Sequence, residues 1–179
     1  MDHREYLLQR LQDVLKTVAP GVTFFLPLGG SHRPIENNLG GRVYSKVRSS
    51  ARTDDTECPY VELITSEKTP DSVRETADED VYLAEMRVEL WGYVKASDQG
   101  DGFDSVVRPL INSLRADLIV AVEAFPYWTD ATHPEPAIQR AGSVGTVLVS
   151  QWTEPAMDAP DGFLVLEYAI RYAFDKRNP

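Results

Sequence analysis

Asp98, Asp101 and Asp104 come nearest to a cation site in this chain of 179 residues. A calcium loop of the EF-hand kind needs oxygen ligands at its first, third and fifth positions and a closing glutamate at its twelfth. Counted from Asp98, the third position is Gly100 and the twelfth is Pro109. The spacing fails, and the segment reads as a turn into a helix with Asp104 as N-cap. The histidines are His3, His32 and His133. None has a second histidine or a cysteine at a ligand spacing, so no zinc is expected and each is expected at the surface. Gly29-Gly30-Ser31-His32 lacks the Lys-Ser/Thr that a phosphate-cradling loop requires. Ala141-Gly142-Ser143-Val144-Gly145 echoes a nucleophile elbow, which needs a strand before the serine and a helix after it. Here a polar stretch precedes Ser143, a strand pattern follows it, and all three histidines lie upstream. No catalytic residue, cofactor or metal ligand is therefore expected. A hydrolase using scattered carboxylates would need a buried, perturbed acid or histidine in a pocket, and no convergent set offers one.

Composition narrows the class. Hydrophobic residues make up 42% and charged residues 26%, both ordinary for a globular protein, and the length suits one domain spanning 1–179. The net charge of −10 disfavours nucleic acid and anionic membranes, because scattered lysines and arginines displace few phosphate counterions. An acidic wall past which DNA slides remains compatible. Cys58 is the single cysteine, so no intramolecular disulfide forms. Met1 to Glu5 lacks a signal-peptide pattern, and the most apolar stretch, Leu118 to Phe125, is interrupted by Glu123 and too short to span a bilayer. Folding in a cytoplasm without a membrane anchor is expected.

Leu7, Leu11, Val14, Leu15 and Val18 recur at helical spacing and predict a helix over 4–18, ended by Pro20-Gly21. Weak strand signals follow at Arg42–Val47 and better ones at Tyr60–Ile64. Tyr82–Val94 predicts a long strand with Met86, Val88 and Leu90 on one face and Arg87, Glu89, Trp91 and Tyr93 on the other. Val107, Leu110, Ile111, Leu114, Leu118, Ala121 and Val122 predict a second helix in which Pro109 is awkward. Strands are expected at Val144–Gln151 and Phe163–Phe174, with a turn over Pro155–Gly162 between them. In the last strand Leu164, Leu166, Tyr168, Ile170, Tyr172 and Phe174 share a face. Strands come in runs and helices are segregated, which predicts an α+β domain, a mostly antiparallel sheet with two helices packed on one face. Leu11, Leu15, Leu110, Leu114, Leu118, Leu166, Tyr168 and Ile170 are its expected core.

Long loops are expected at 19–41, 65–81 and 126–142. The first carries Phe24, Phe25 and Leu26 among glycines and prolines. It reads either as a connector folding back on the core or as an arm that docks on a neighbouring subunit. Tyr127 and Trp128, in the third, are further candidates for a subunit or partner interface. The second has no apolar period and is read as a loop; its Asp78-Glu79-Asp80 run is expected to be solvated, since adjacent like charges repel.

The order of elements resembles a known family. A helix (Arg4–Val18) is followed by a strand after a proline (Pro59-Tyr60-Val61-Glu62-Leu63) and by a long strand ending Val88-Glu89-Leu90-Trp91-Gly92-Tyr93-Val94. The helix of Leu110-Ile111-Asn112-Ser113-Leu114-Arg115-Ala116-Asp117-Leu118 and two closing strands complete the order. From Arg4 to Phe174 this is similar to the tail terminator, or tail completion, proteins of tailed bacteriophages, of the lambda minor tail protein U type. The resemblance implies a virion component assembled in the host cytoplasm. It implies a homo-oligomeric ring, commonly a hexamer, on the last ring of the tail tube protein, meeting the head-neck connector proteins. DNA then passes through the lumen without specific binding, and Asp78, Glu79 and Asp80 are candidates for its acidic wall. No catalytic residue carries over. A head-tail connector, or the tube cap of a contractile injection machine, shares this size and chemistry.

Overall fold

The computed structural model describes residues 3–19, 37–46, 58–65, 72–75, 81–95, 107–136, 145–155 and 161–175. Helix α1 (His3–Lys16) leads into strands β1 (Val43–Lys46), β2 (Tyr60–Thr65), β3 (Ser72–Glu75) and β4 (Val81–Lys95). Helix α2 (Val107–Ala124) runs into a 3₁₀ turn (Phe125–Tyr127), and β5 (Gly145–Pro155) and β6 (Asp161–Asp175) follow. The strands form one sheet in the order β1-β2-β4-β6-β5, with β3 in line beyond β2 on the same edge of β4. All neighbours are antiparallel except β1 and β2, which are parallel. The long strands β4 and β6 pair over their whole length, from Val81 opposite Asp175 to Lys95 opposite Asp161. The α+β class and the helix-backed sheet stand as expected from the sequence.

Period-two alternation explains the core. Ala84, Met86, Val88, Leu90 and Val94 of β4 join Leu164, Leu166, Tyr168, Ile170 and Tyr172 of β6 on one face of the sheet. Leu7, Leu11, Val14 and Leu15 of α1 and Val107, Ile111, Leu114, Leu118, Ala121 and Val122 of α2 close over that face. Leu110 corrects the expected core list, for it is only half-buried. It sits at the rim of the stripe whose centre is Ile111, Leu114 and Leu118. Pro109 is absorbed because α2 begins at Val107; a proline in the first turn removes an N–H that has no helical partner anyway.

Close approach of α2 to the sheet depends on two glycines. A Cβ on Gly162 would lie 2.6 Å from Cγ1 of Val107 and 2.7 Å from Cδ1 of Ile111, and one on Gly92 would lie 3.0 Å from Cδ2 of Leu114. Gly92 and Gly162 thus sit in strands where a side chain would push the helix away.

Three sequence readings change. The 65–81 segment is not loop throughout, because Ser72–Glu75 pairs with β4. Pairing with a long partner strand supplies what the segment's polar sequence does not signal. Strand β5 runs on to Pro155, where the sequence predicts the start of a turn. Pro155 ends the strand next to the hairpin, where proline is tolerated. The 19–41 segment returns to the core before its end. Leu39 is fully buried, its N–H bonds the Val18 carbonyl at 3.1 Å, and buried Asn37 donates to Ser113 Oγ at 2.9 Å and to Asp117 Oδ2 at 2.7 Å on α2. Gly40 and Gly41, both at positive φ, then turn the chain into β1.

Candidate interaction surfaces

The sheet face opposite the helices divides into an aromatic end and a charged middle. Register places Tyr60, Tyr93 and Phe163 side by side across β2, β4 and β6. Tyr60 stacks on Tyr93 with ring centres 4.5 Å apart, Tyr44 of β1 meets Tyr60 edge-on at 6.1 Å, and Trp91 stacks on Phe163 at 5.8 Å. Tyr60 and Glu62 are buried, while Trp91, Tyr93 and Phe163 are half-buried and Tyr44 is exposed.

Ion pairs occupy the middle. Arg171 Nε donates to Glu85 Oε2 at 3.0 Å across β6 and β4. Arg87 reaches Glu85 at 3.1 Å and Glu167 at 3.5 Å, and Ser150 Oγ donates to Glu167 at 2.8 Å from β5. Glu89 lies directly opposite Glu167, a like-charge pairing that costs stability unless each has another partner. Trp91 Nε1 donates to Glu89 at 2.9 Å, and Arg87 and Ser150 serve Glu167. The Arg171 guanidinium holds the Glu85 carboxyl below the usual carboxylate range. Partial desolvation opposes it, and the charge of Arg87 adds to the lowering. Glu85, Glu89 and Glu167 thus each accept hydrogen bonds or ion pairs from neighbouring strands or from their own.

A second surface surrounds the 3₁₀ turn. Arg10 is fully buried although α1 is an outer helix. Its guanidinium donates to the Trp128 carbonyl, lies 4.6 Å from the centre of the Trp128 ring and sits 3.9 Å from Asp130 Oδ2. Burial pushes the Asp130 carboxyl up, but the backbone N–H groups of His133 and Thr132 and the charges of His133 and Arg10 bring it below its ordinary value. Nδ1 of His133 is 3.4 Å from Asp130, and its ring meets Tyr6 edge-on at 6.3 Å. This knot fastens residues 125–133 to α1 and leaves Tyr127 projecting, 69% exposed, between buried Pro126 and half-buried Trp128.

Of the interface candidates, Tyr127 and Trp128 are adjacent but differently placed: Tyr127 faces outward, and Trp128 packs against the core over Arg10. Phe24, Phe25 and Leu26, the acidic run Asp78, Glu79 and Asp80, and also His32, Ser143, Asp98, Asp101 and Asp104 lie outside the described residues. His3 and His133 are half-buried, not at the surface as the sequence suggests; His133 is covered in part by Tyr6 of α1. Among the described residues no three His, Cys, Asp or Glu side chains are grouped to hold a metal ion, and no helix is long and apolar enough to cross a membrane. Sequence reasoning passed over Arg10. Its signal was present, since Arg10 falls on the Leu7, Leu11 and Val14 stripe, where a charged residue must find partners.

Comparison with solved structures yields weak likenesses, of which one is as follows. A chain in the solved structure titled "Virion of native gene transfer agent (GTA) particle" superposes with a TM-score of 0.37 at 15% identity, over 74% of this chain and 79% of that one. No family model matches, and no curated protein matches.

Proposed function

We propose that this chain is a structural virion protein, a ring-forming tail terminator that acts without catalysis. In this reading it caps the tail tube, stops tube polymerisation and joins the tail to the head-neck proteins. One observation carries it: the order helix, strands, long strand, helix, two strands, with both helices on one face of a single sheet. That is the element order on which the resemblance to tail terminators rests. The other sheet face supports it, because its carboxylates Glu85 and Glu167 are engaged in ion pairs. Exposed Tyr127, held on a fastened turn, is a contact residue for a partner, together with Phe24, Phe25 and Leu26. In this reading Asp78, Glu79 and Asp80 belong to the lumen wall, whose negative charge repels phosphate over a range of about 8 Å at physiological salt and keeps a moving duplex centred.

The test is to image virions assembled without this protein. Overlong tails, or tails whose tubes never stop, are the expected result. Tails of normal length that fail to join heads point to a neighbouring connector, and normal virions sink the reading. A salt-dependent titration against duplex DNA gives a second check, with negligible binding expected. Micromolar binding that falls steeply with salt identifies a DNA-gripping surface instead.

A further inference from the structure

Among the described residues the sheet has three outer edges, and they are not equivalent. The edge of β1 is short and guarded, since Gln12 Nε2 of α1 donates to the Val43 carbonyl at 3.0 Å. Among the described residues β5 pairs only with β6, and β3 only with β4. Among the described residues no backbone hydrogen bond reaches the outer side of either. Their valines are exposed: Val73 of β3 at 52%, Val147 and Val149 of β5 at 44% each. An unpaired strand with exposed β-branched side chains is a template for another strand, and proteins ordinarily guard it with lysine or proline. Strand β5 carries no lysine and no ionisable residue from Gly145 to Thr153, and its Glu154 and Pro155 stand at its far end, away from Val147 and Val149. Its bulge at Val149 bends the edge without charging it.

We propose that β5 of one copy accepts β3 of a second copy of this chain, head to tail. Charge selects the occupant. Copies that each carry −10 repel least where the surface is neutral, and β5 is that surface. Strand β3 adds no net charge, for its Arg74 and Glu75 cancel. Register selects the mode. Ser72, Glu85, Arg171 and Gly145 form one cross-strand row, so β3 extends away from that row in one direction and β5 in the other. The two free edges are therefore on opposite sides and staggered. Joining them head to tail staggers each sheet against the next, as a closing sheet requires, and one contact covers both sets of valines. Pairing β5 with β5 is isologous, stops at two copies and leaves Val73 bare. The proposal deepens the ring reading and rests on it for closure of the series.

Two experiments test it on the full chain. Val147→Lys guards the edge at an exposed site, so the melting temperature stays that of wild type while assembly, followed by light scattering, is lost. Cross-linking uses a Cys58→Ser background and a short bis-maleimide. Val73 and Thr146 lie on the same sheet side, in the rows of Ala84 and Ile170. A mixture of the single variants Val73→Cys and Thr146→Cys gives covalent dimers, each alone gives none, and the double variant gives a ladder beyond dimer. Dimers from Thr146→Cys alone, or a Val147→Lys protein that assembles at the wild-type concentration, overturn the edge pairing. Rings that form without the ladder leave the ring reading standing and remove only this contact. A wild-type chain that stays monomeric both free and on tail tubes removes both.

Discussion

Arg10 lies against Trp128, its guanidinium carbon 4.6 Å from the ring centre while the same group donates to the Trp128 carbonyl. One buried side chain thus holds both the ring and the backbone of the turn that presents Tyr127. Arg10→Ala removes the donor and the cation together, and is expected to cost about 1–3 kcal/mol in chemical denaturation. Arg10→Lys keeps the charge but not the flat surface over the indole, so it falls between the two. An alanine variant as stable as wild type shows that the turn needs no fastening.

Gly162 lies beneath Val107 and Ile111 with no room for a methyl group. Gly162→Ala is expected to lift the start of α2 at a cost of about 1–3 kcal/mol. Leu114→Ala, in the middle of the same helix and fully buried, is expected to cost about 2–5 kcal/mol. The discriminating measurement is hydrogen exchange along α2. The glycine variant loosens the first turns, and the leucine variant loosens the centre. Equal protection throughout in both proteins contradicts the close packing.

Tyr168 is fully buried, and its hydroxyl has no hydrogen-bond partner among the described residues. Burial pushes its ionisation up, and the charge of Glu123 adds to the push. A folded-state value raised above the unfolded value gives stability that is complete below the unfolded value, about 10, and is lost as pH rises past it. Tyr168→Phe deletes a desolvated hydroxyl, so it leaves neutral-pH stability unchanged or raises it by up to about 1 kcal/mol. It also flattens the alkaline decline. A clear loss of stability at neutral pH reveals a hydrogen bond to that hydroxyl.

Legibility followed periodicity. The β4 alternation from Met86 to Tyr93 and the α1 stripe from Leu7 to Val18 are local signals, and both faces were readable. Strand β3 was not, because Ser72-Val73-Arg74-Glu75 has no alternation of its own and becomes a strand by pairing with Leu83 and Ala84. The role of Arg10 depends on Trp128 and Asp130, more than a hundred residues away, and one sequence carries no such pairing. The ladder of Glu85, Arg87, Glu167 and Arg171 is a register property: the strand faces were legible, but which charges meet was fixed by β4 opposite β6.

That ladder sets the response to acid. The folded-state value of Glu85 lies below the unfolded value of about 4.3, chiefly through its bond to Arg171. Its contribution is therefore present above the unfolded value and lost as pH falls through the folded one. Arg171 is more than half exposed, so solvent screens the pair and the effect on stability is small. Arg171→Ala removes the largest cause of the lowering and leaves Arg87 as the remaining cation on Glu85. The Glu85 carboxyl, followed by carbon NMR, is expected to titrate at higher pH in the variant than in wild type. Stability between about pH 5 and pH 3 is expected to fall less steeply in the variant, because the folded and unfolded values draw together. Added salt shrinks the difference between the two proteins. An unchanged Glu85 titration means that the guanidinium does not rest on this carboxylate in solution.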